Sequence, residues 1–169
     1  RSCSRSRYTR NDYWFFNIFH IFKIMLSEEN KEKKYKKCIE SIKNTSEHNK
    51  LKLISRLLFE SFDSWIFCGF YFQNGNKLFV SEYSADKIPC SPIEFNGVCG
   101  TAILKNQILN IDDINKFQGH IVCDENSKSE LCIPFEINGI KYVLDVDSKI
   151  NSAFCKIDEE YLLKIIREI

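Results

Sequence analysis

Two Asn-Gly steps, Asn74-Gly75 and Asn138-Gly139, each sit between runs of β-branched and aromatic residues, and they constrain the fold more than any other feature. Asn-Gly accepts the left-handed backbone of a tight turn, so each step predicts a two-strand hairpin. The first joins Trp65 to Phe72 with Lys77 to Tyr83, and the second joins Glu130 to Ile137 with Ile140 to Asp147. Hairpins make antiparallel pairs, which excludes a fold built on parallel crossovers.

Helical patterns flank the hairpins. Ser27 reads as the cap of a helix from Glu28 to about Asn44, with Tyr35, Cys38, Ile39 and Ile42 on one stripe. A second helix follows Ser46, burying Leu51, Ile54, Leu58 and Phe62, and a last one starts from a cap at Asp158 with Leu162, Ile165, Ile166 and Ile169 inward. Between the hairpins, a short helix after Gly97 and a brief strand around Ile108 to Ile111 interrupt a long irregular segment. The order predicts an α+β domain, an antiparallel sheet with helices mainly on one face. Long loops inside small domains usually carry function.

At 169 residues the chain suffices for one core and is short for two. Residues 1–24 read as an extension, either targeting-like or upstream of a start at Met25, and residues 25–169 as a single domain; the second origin is preferred. With 24 basic and 23 acidic side chains there is no global basic field, so no nucleic-acid partner is expected. Tyr13 to Leu26 is apolar but interrupted by Asn17, His20 and Lys23, a poor signal peptide and a poor membrane span. A cytoplasmic protein is expected, and its eight cysteines are then thiols rather than a disulfide scaffold.

Cys3, Cys38, Cys68, Cys132 and Cys155 lie in helical stripes, strands or a tail, where cysteine usually serves as a small hydrophobe. Cys90, Cys99 and Cys123 lie in the long segment near glycines, in Pro89-Cys90-Ser91, Gly97-Val98-Cys99-Gly100 and Gly119-His120-Ile121-Val122-Cys123-Asp124. Zinc on Cys90, Cys99, His120 and Cys123 is disfavoured because the tight paired spacing of structural zinc sites is missing, so neither metal nor cofactor is expected. Two thiols that meet through a flexible loop need no fixed spacing.

Gly97-Val98-Cys99-Gly100-Thr101-Ala102, Gly119 to Asp124, Ser127-Lys128-Ser129-Glu130 and Val143-Leu144-Asp145-Val146-Asp147-Ser148 resemble, in this order, the free methionine-(R)-sulfoxide reductases, enzymes on a GAF-type fold. The resemblance runs from about Trp65 to the last helix. It implies reduction of the free amino acid oxidised at sulfur, with Cys123 as nucleophile and Cys99 as principal resolving thiol, two roles that can be exchanged. Cys90 would be a second resolving thiol, although the loop joining it to Cys99 is one residue shorter than is usual in the family. Thioredoxin would be the reductant, and a homodimer through the terminal helices is compatible.

Glu130 opens a strand, and Asp145 and Asp147, two apart on another, share one sheet face. Crowded carboxylates in a pocket raise one another's pKa, so one can hold a proton for the sulfoxide oxygen while another pairs with the substrate ammonium. Glu130 and Asp147 are expected near sulfoxide and ammonium, with Asp145 supporting both. A wet strand face is the plainer reading of alternating aspartates. Where the family carries a tryptophan this chain has Phe67, with Trp65 two residues earlier; strict alternation puts Trp65, Phe67 and Tyr71 on one face as an aromatic wall for the methyl-sulfur end. The alternative function is a GAF-type sensor that binds a small effector without chemistry; a reductase of peptide-bound sulfoxide fits three carboxylates less well.

Overall fold

The computed structural model describes residues 10–119 and 124–169, with side chains from Met25 onward. Helix α1 (Arg10–Lys43) leads to α2 (Lys50–Ser61), then strands β1 (Trp65–Asn74) and β2 (Lys77–Ala85), helix α3 (Val98–Lys105), and strand β3 (Leu109–Ile111). Strands β4 (Ser129–Ile137) and β5 (Ile140–Ser148) form the second hairpin, and α4 (Lys156–Ile166) closes the chain. The five strands form one sheet of order β2-β1-β5-β4-β3, antiparallel at every pairing. The α+β architecture is the expected one.

Both turns act as predicted. Gly75 has φ +61 in the first, and Asn138 (φ 50) and Gly139 (φ 80) fill the second. The second is the primed geometry for which Asn-Gly is favoured, and it sets the β4–β5 register from Ile137 opposite Ile140 to Ser129 opposite Ser148.

Helix ends differ from expectation. Ser27 lies inside α1, which runs unbroken from Arg10 because no Gly or Pro occurs before Lys43. The cap of α2 is Asn49, whose side chain accepts from the Lys52 amide, and α4 starts at Cys155, with Asp158 three residues in and accepting from the Cys155 amide. An acceptor in the first turn and a cap satisfy the same orphan amides, so composition alone does not separate them.

Helices α1, α2 and α4 cover one sheet face, with Tyr35, Ile42, Ile54, Leu58 and Leu162 packed on Phe70, Leu131, Leu144 and Val146. On the other face α3 and the loop before it enclose a second cluster, in which Phe67, Tyr71, Val98, Cys99, Ile103, Cys132 and Val143 meet. The loop lies hard on α3: a Cβ at Gly100 would stand 2.3 Å from the Phe95 Cα. Among the described residues no helix is long and apolar enough to cross a membrane.

One buried polar cluster fastens α4 to α1. Asp158 is fully buried and accepts from the Tyr35 hydroxyl at 2.7 Å, from the Cys155 amide at 2.7 Å, and from the Lys31 ammonium. Removing the carboxylate leaves Tyr35 without its buried partner and the first turn of α4 uncapped. Asp158→Ala is therefore expected to lower stability by about 2–4 kcal/mol, measured as a fall in the urea midpoint at unchanged slope.

Candidate active site

The β4–β5 register builds the site. Glu130 pairs with Asp147 and Cys132 with Asp145, so alternation sends all four side chains to the α3 face. Helix α3, started at Gly97, brings Cys99 over them. The pocket lined by Cys99, Glu130, Asp145 and Asp147 is walled by Phe67, Tyr71 and Val98, and its rim carries Lys87 paired with Asp124 at 2.9 Å. Glu130 is 7% exposed and Asp145 6%, so the reading of a wet strand face does not apply to these two.

The polar groups contact one another. The Cys132 thiol donates to Glu130 Oε1 at 3.1 Å and lies 3.5 Å from Asp145 Oδ1. Cys99 Sγ lies 3.4 Å from Cys132 Sγ and 3.9 Å from Glu130 Oε1. The Ser127 hydroxyl donates to Asp147 at 2.9 Å. Among the described residues no lysine or arginine pairs with Glu130, Asp145 or Asp147.

Unbalanced burial moves the titrations of the two buried thiols and of the three acids Glu130, Asp145 and Asp147 upward. Burial first, then the charges of Asp145 and Asp147, hold the Glu130 carboxyl well above its ordinary range. Burial raises Asp145 to about 6, against donation from Cys99 and Cys132, and burial followed by the Asp145 charge raises Asp147. Burial likewise pushes the Cys99 and Cys132 thiols well above the usual value. The pocket by itself holds protons, and it favours any ligand that brings positive charge.

The structure brings together Cys99, Glu130, Asp145, Asp147, Phe67 and Tyr71. It places Cys90 on the neighbouring loop, its carbonyl accepting from the Tyr71 hydroxyl at 3.1 Å. Trp65 is elsewhere. A bulge in β1 shifts the pairing between Trp65, opposite Ser148, and Phe67, opposite Asp147, so these two residues face opposite layers. Trp65 stacks on Phe62 at 4.4 Å in the helix-side core, and Ile66 joins the pocket lining instead. Strict alternation fails there because the bulge inserts one residue. Cys123 and His120 lie outside the described residues; Asp124, one peptide bond after Cys123, lines the pocket.

Two further residues take part that the sequence does not single out. Cys132, expected as a core hydrophobe, touches Cys99 and two carboxylates; its signal is the two-residue spacing from Glu130, which puts both on one face. Ser127 orients Asp147, and nothing in the sequence beyond its place in a motif marks it for that.

Between about pH 4 and pH 6 the folded protein keeps the proton of Asp145 while the unfolded chain, with an ordinary carboxyl, has lost it. Stability contributed by this group is therefore present at low pH and lost as pH rises through that window. Asp145→Asn is expected to flatten the fall and to raise the melting temperature of the ligand-free protein at pH 7. Melting curves from pH 4 to 8 on both proteins test this, and an unchanged slope contradicts it.

No family model matches the chain. Protein YtsP of Bacillus subtilis is 34% identical over 155 residues, 86% of this chain and 92% of the relative. The free methionine-R-sulfoxide reductase of Escherichia coli is 37% identical over 117 residues, 68% of this chain and 70% of that enzyme. In three dimensions the reduced form of the free methionine-R-sulfoxide reductase of Staphylococcus aureus superposes with a TM-score of 0.70 at 33% identity, covering 80% of this chain and 90% of the other. With sequence, fold and the order of motifs in agreement, the chain belongs to the free methionine-R-sulfoxide reductase family, on a GAF-type fold.

Proposed function

We propose that this protein reduces free methionine-(R)-sulfoxide to methionine through a cysteine sulfenic acid and an internal disulfide, with thioredoxin as reductant. The observation that carries the reading is the convergence of Glu130, Asp145 and Asp147 beside Cys99 in one pocket, with no cation among the described residues to balance them. A free amino acid supplies that cation as its ammonium group. A residue inside a peptide has a neutral amide there and forfeits the attraction.

The chemistry then divides among named groups. The Cys123 thiolate attacks the sulfoxide sulfur while a protonated carboxyl, Glu130 by its burial, gives its proton to the departing oxygen. The oxygen passes to the cysteine as sulfenic acid, and the substrate leaves as the thioether. The Cys99 thiol condenses with that sulfenic acid, releasing water and forming the disulfide, which the reductant's dithiol reopens by exchange. Burial keeps Cys99 protonated before substrate binds, which suits a resolving thiol better than the attacking one. Asp124, which follows Cys123 in the sequence, lines the pocket. Cys90, on the loop beside Tyr71, is the second resolving thiol in this scheme. Phe67 and Tyr71 receive the methyl-sulfur end; Trp65 has no part in it. A cytoplasmic location and a homodimer complete the proposal.

Turnover of the free (R) sulfoxide, the free (S) epimer and a peptide-bound sulfoxide, with thioredoxin or dithiothreitol, tests the assignment. Activity on the free (R) form is expected, with Cys123→Ser lowering kcat at least about a thousandfold and Asp147→Asn raising KM at least about tenfold. Binding of the amino acid without turnover would make the domain a sensor instead. Substrate binding at pH 6 is also expected to release protons from the pocket carboxyls, read by calorimetry in buffers of different ionisation enthalpy.

A further inference from the structure

Cys132 lies buried against three residues of the pocket lining, Cys99, Glu130 and Asp145, and the proposed reaction has no use for it. Its thiol is fully buried, and it touches Cys99, Glu130 and Asp145 at once. One donor atom from each of these four residues lies within 4.8 Å of the other three. The quartet draws on α3, β4 and β5, so its geometry is set by the sheet register and by how α3 packs on it.

Those distances can be compared with what a cation requires. A tetrahedral zinc ion with sulfur at about 2.3 Å and carboxylate oxygen at about 2.0 Å implies edges of about 3.8 Å between sulfurs and about 3.5 Å between sulfur and oxygen. The observed edges are 3.4 Å for Cys99 to Cys132, 3.9 Å for Cys99 to Glu130, 3.1 Å for Cys132 to Glu130, and 3.5 Å for Cys132 to Asp145. None of these four departs from its tetrahedral value by more than about 0.4 Å, and the other two edges, Cys99 to Asp145 and Glu130 to Asp145, lie within 4.8 Å.

We propose that Cys99, Cys132, Glu130 and Asp145 form a binding site for a single thiophilic divalent cation of the zinc class. Two sulfurs and two carboxylate oxygens select zinc or cadmium over magnesium or calcium, which prefer six or more oxygens. The electrostatics agree with the geometry, because buried acids with no lysine or arginine paired to them among the described residues attract a compact positive charge. Cys99, Glu130 and Asp145 also line the open pocket, which gives the ion a path in. Metal and amino-acid ammonium then compete for the same carboxylates, and an occupied site has its Cys99 sulfur bound and unable to resolve a sulfenic acid. The proposal stands on the four side chains and does not require the reductase reading.

The test uses fully reduced, metal-free protein titrated with zinc or cadmium alone. One equivalent is expected to bind with proton release, giving a thiolate-to-cadmium charge-transfer band in the ultraviolet. X-ray absorption of the zinc form is expected to show two sulfur neighbours at about 2.3 Å and oxygen at about 2.0 Å. Cys132→Val, a substitution of similar volume, is expected to remove one sulfur from that shell and to weaken binding by more than the roughly tenfold that loss of an outer-shell partner costs. A shell without sulfur, or a spectrum and affinity unchanged by Cys132→Val, overturns the proposal. If zinc binds with two sulfurs and no sulfoxide is turned over, the metal site stands and the reductase reading fails. Turnover without zinc binding leaves the reductase reading standing and overturns the metal site.

Discussion

The register of one hairpin is the constraint on which the rest depends. The Asn138-Gly139 turn places Ile137 opposite Ile140, and counting outward puts Glu130 across from Asp147 and Cys132 across from Asp145. A slip of one residue in β4 would turn Glu130 and Cys132 into the helix-side core, away from Asp145 and Asp147, and Leu131 and Ile133 toward the pocket. The helix-side core resists that slip, since Leu131, Leu144 and Val146 are fully buried against α1, α2 and α4. Apolar packing on one face thus fixes the chemistry on the other.

The site is unfavourable for the fold on its own. Three acids crowd together, burial raising the titration of each and neighbouring charge raising Glu130 and Asp147 further, and no lysine or arginine among the described residues pairs with them. The molecule meets this by keeping protons in the pocket. In the proposed reaction a protonated carboxyl serves the departing oxygen, and a proton is also what the proposed cation would displace, so both proposals draw on one arrangement. The same burial that raises the carboxyls also holds the Cys99 and Cys132 thiols protonated.

Much of this is legible in the chain itself. Both hairpins, the short helix after Gly97, the strand near Ile108 and the helical stripes at Tyr35 and Leu162 follow from turn chemistry and periodicity, which act over a few residues. The convergence of Asp145 and Asp147 follows from alternation along a single strand. Trp65 shows the limit: alternation is a rule about a regular strand, and a bulge at Ile66 reverses it for the residue on the far side. Cys132 shows another, because a cysteine in a strand is usually a hydrophobe and nothing local sets this one apart.

The sequence by itself determined the element order, the antiparallel pairing and the shared face of Asp145 and Asp147, since each depends on neighbours within a turn or a strand. The tertiary structure alone decided that Cys99 stands over Cys132, that Trp65 belongs to the helix-side core, and that the carboxylates meet no lysine or arginine among the described residues. Those outcomes depend on which residues distant in sequence come to lie within a few ångströms. Packing across the sheet sets that distance, and no spacing along the chain encodes it.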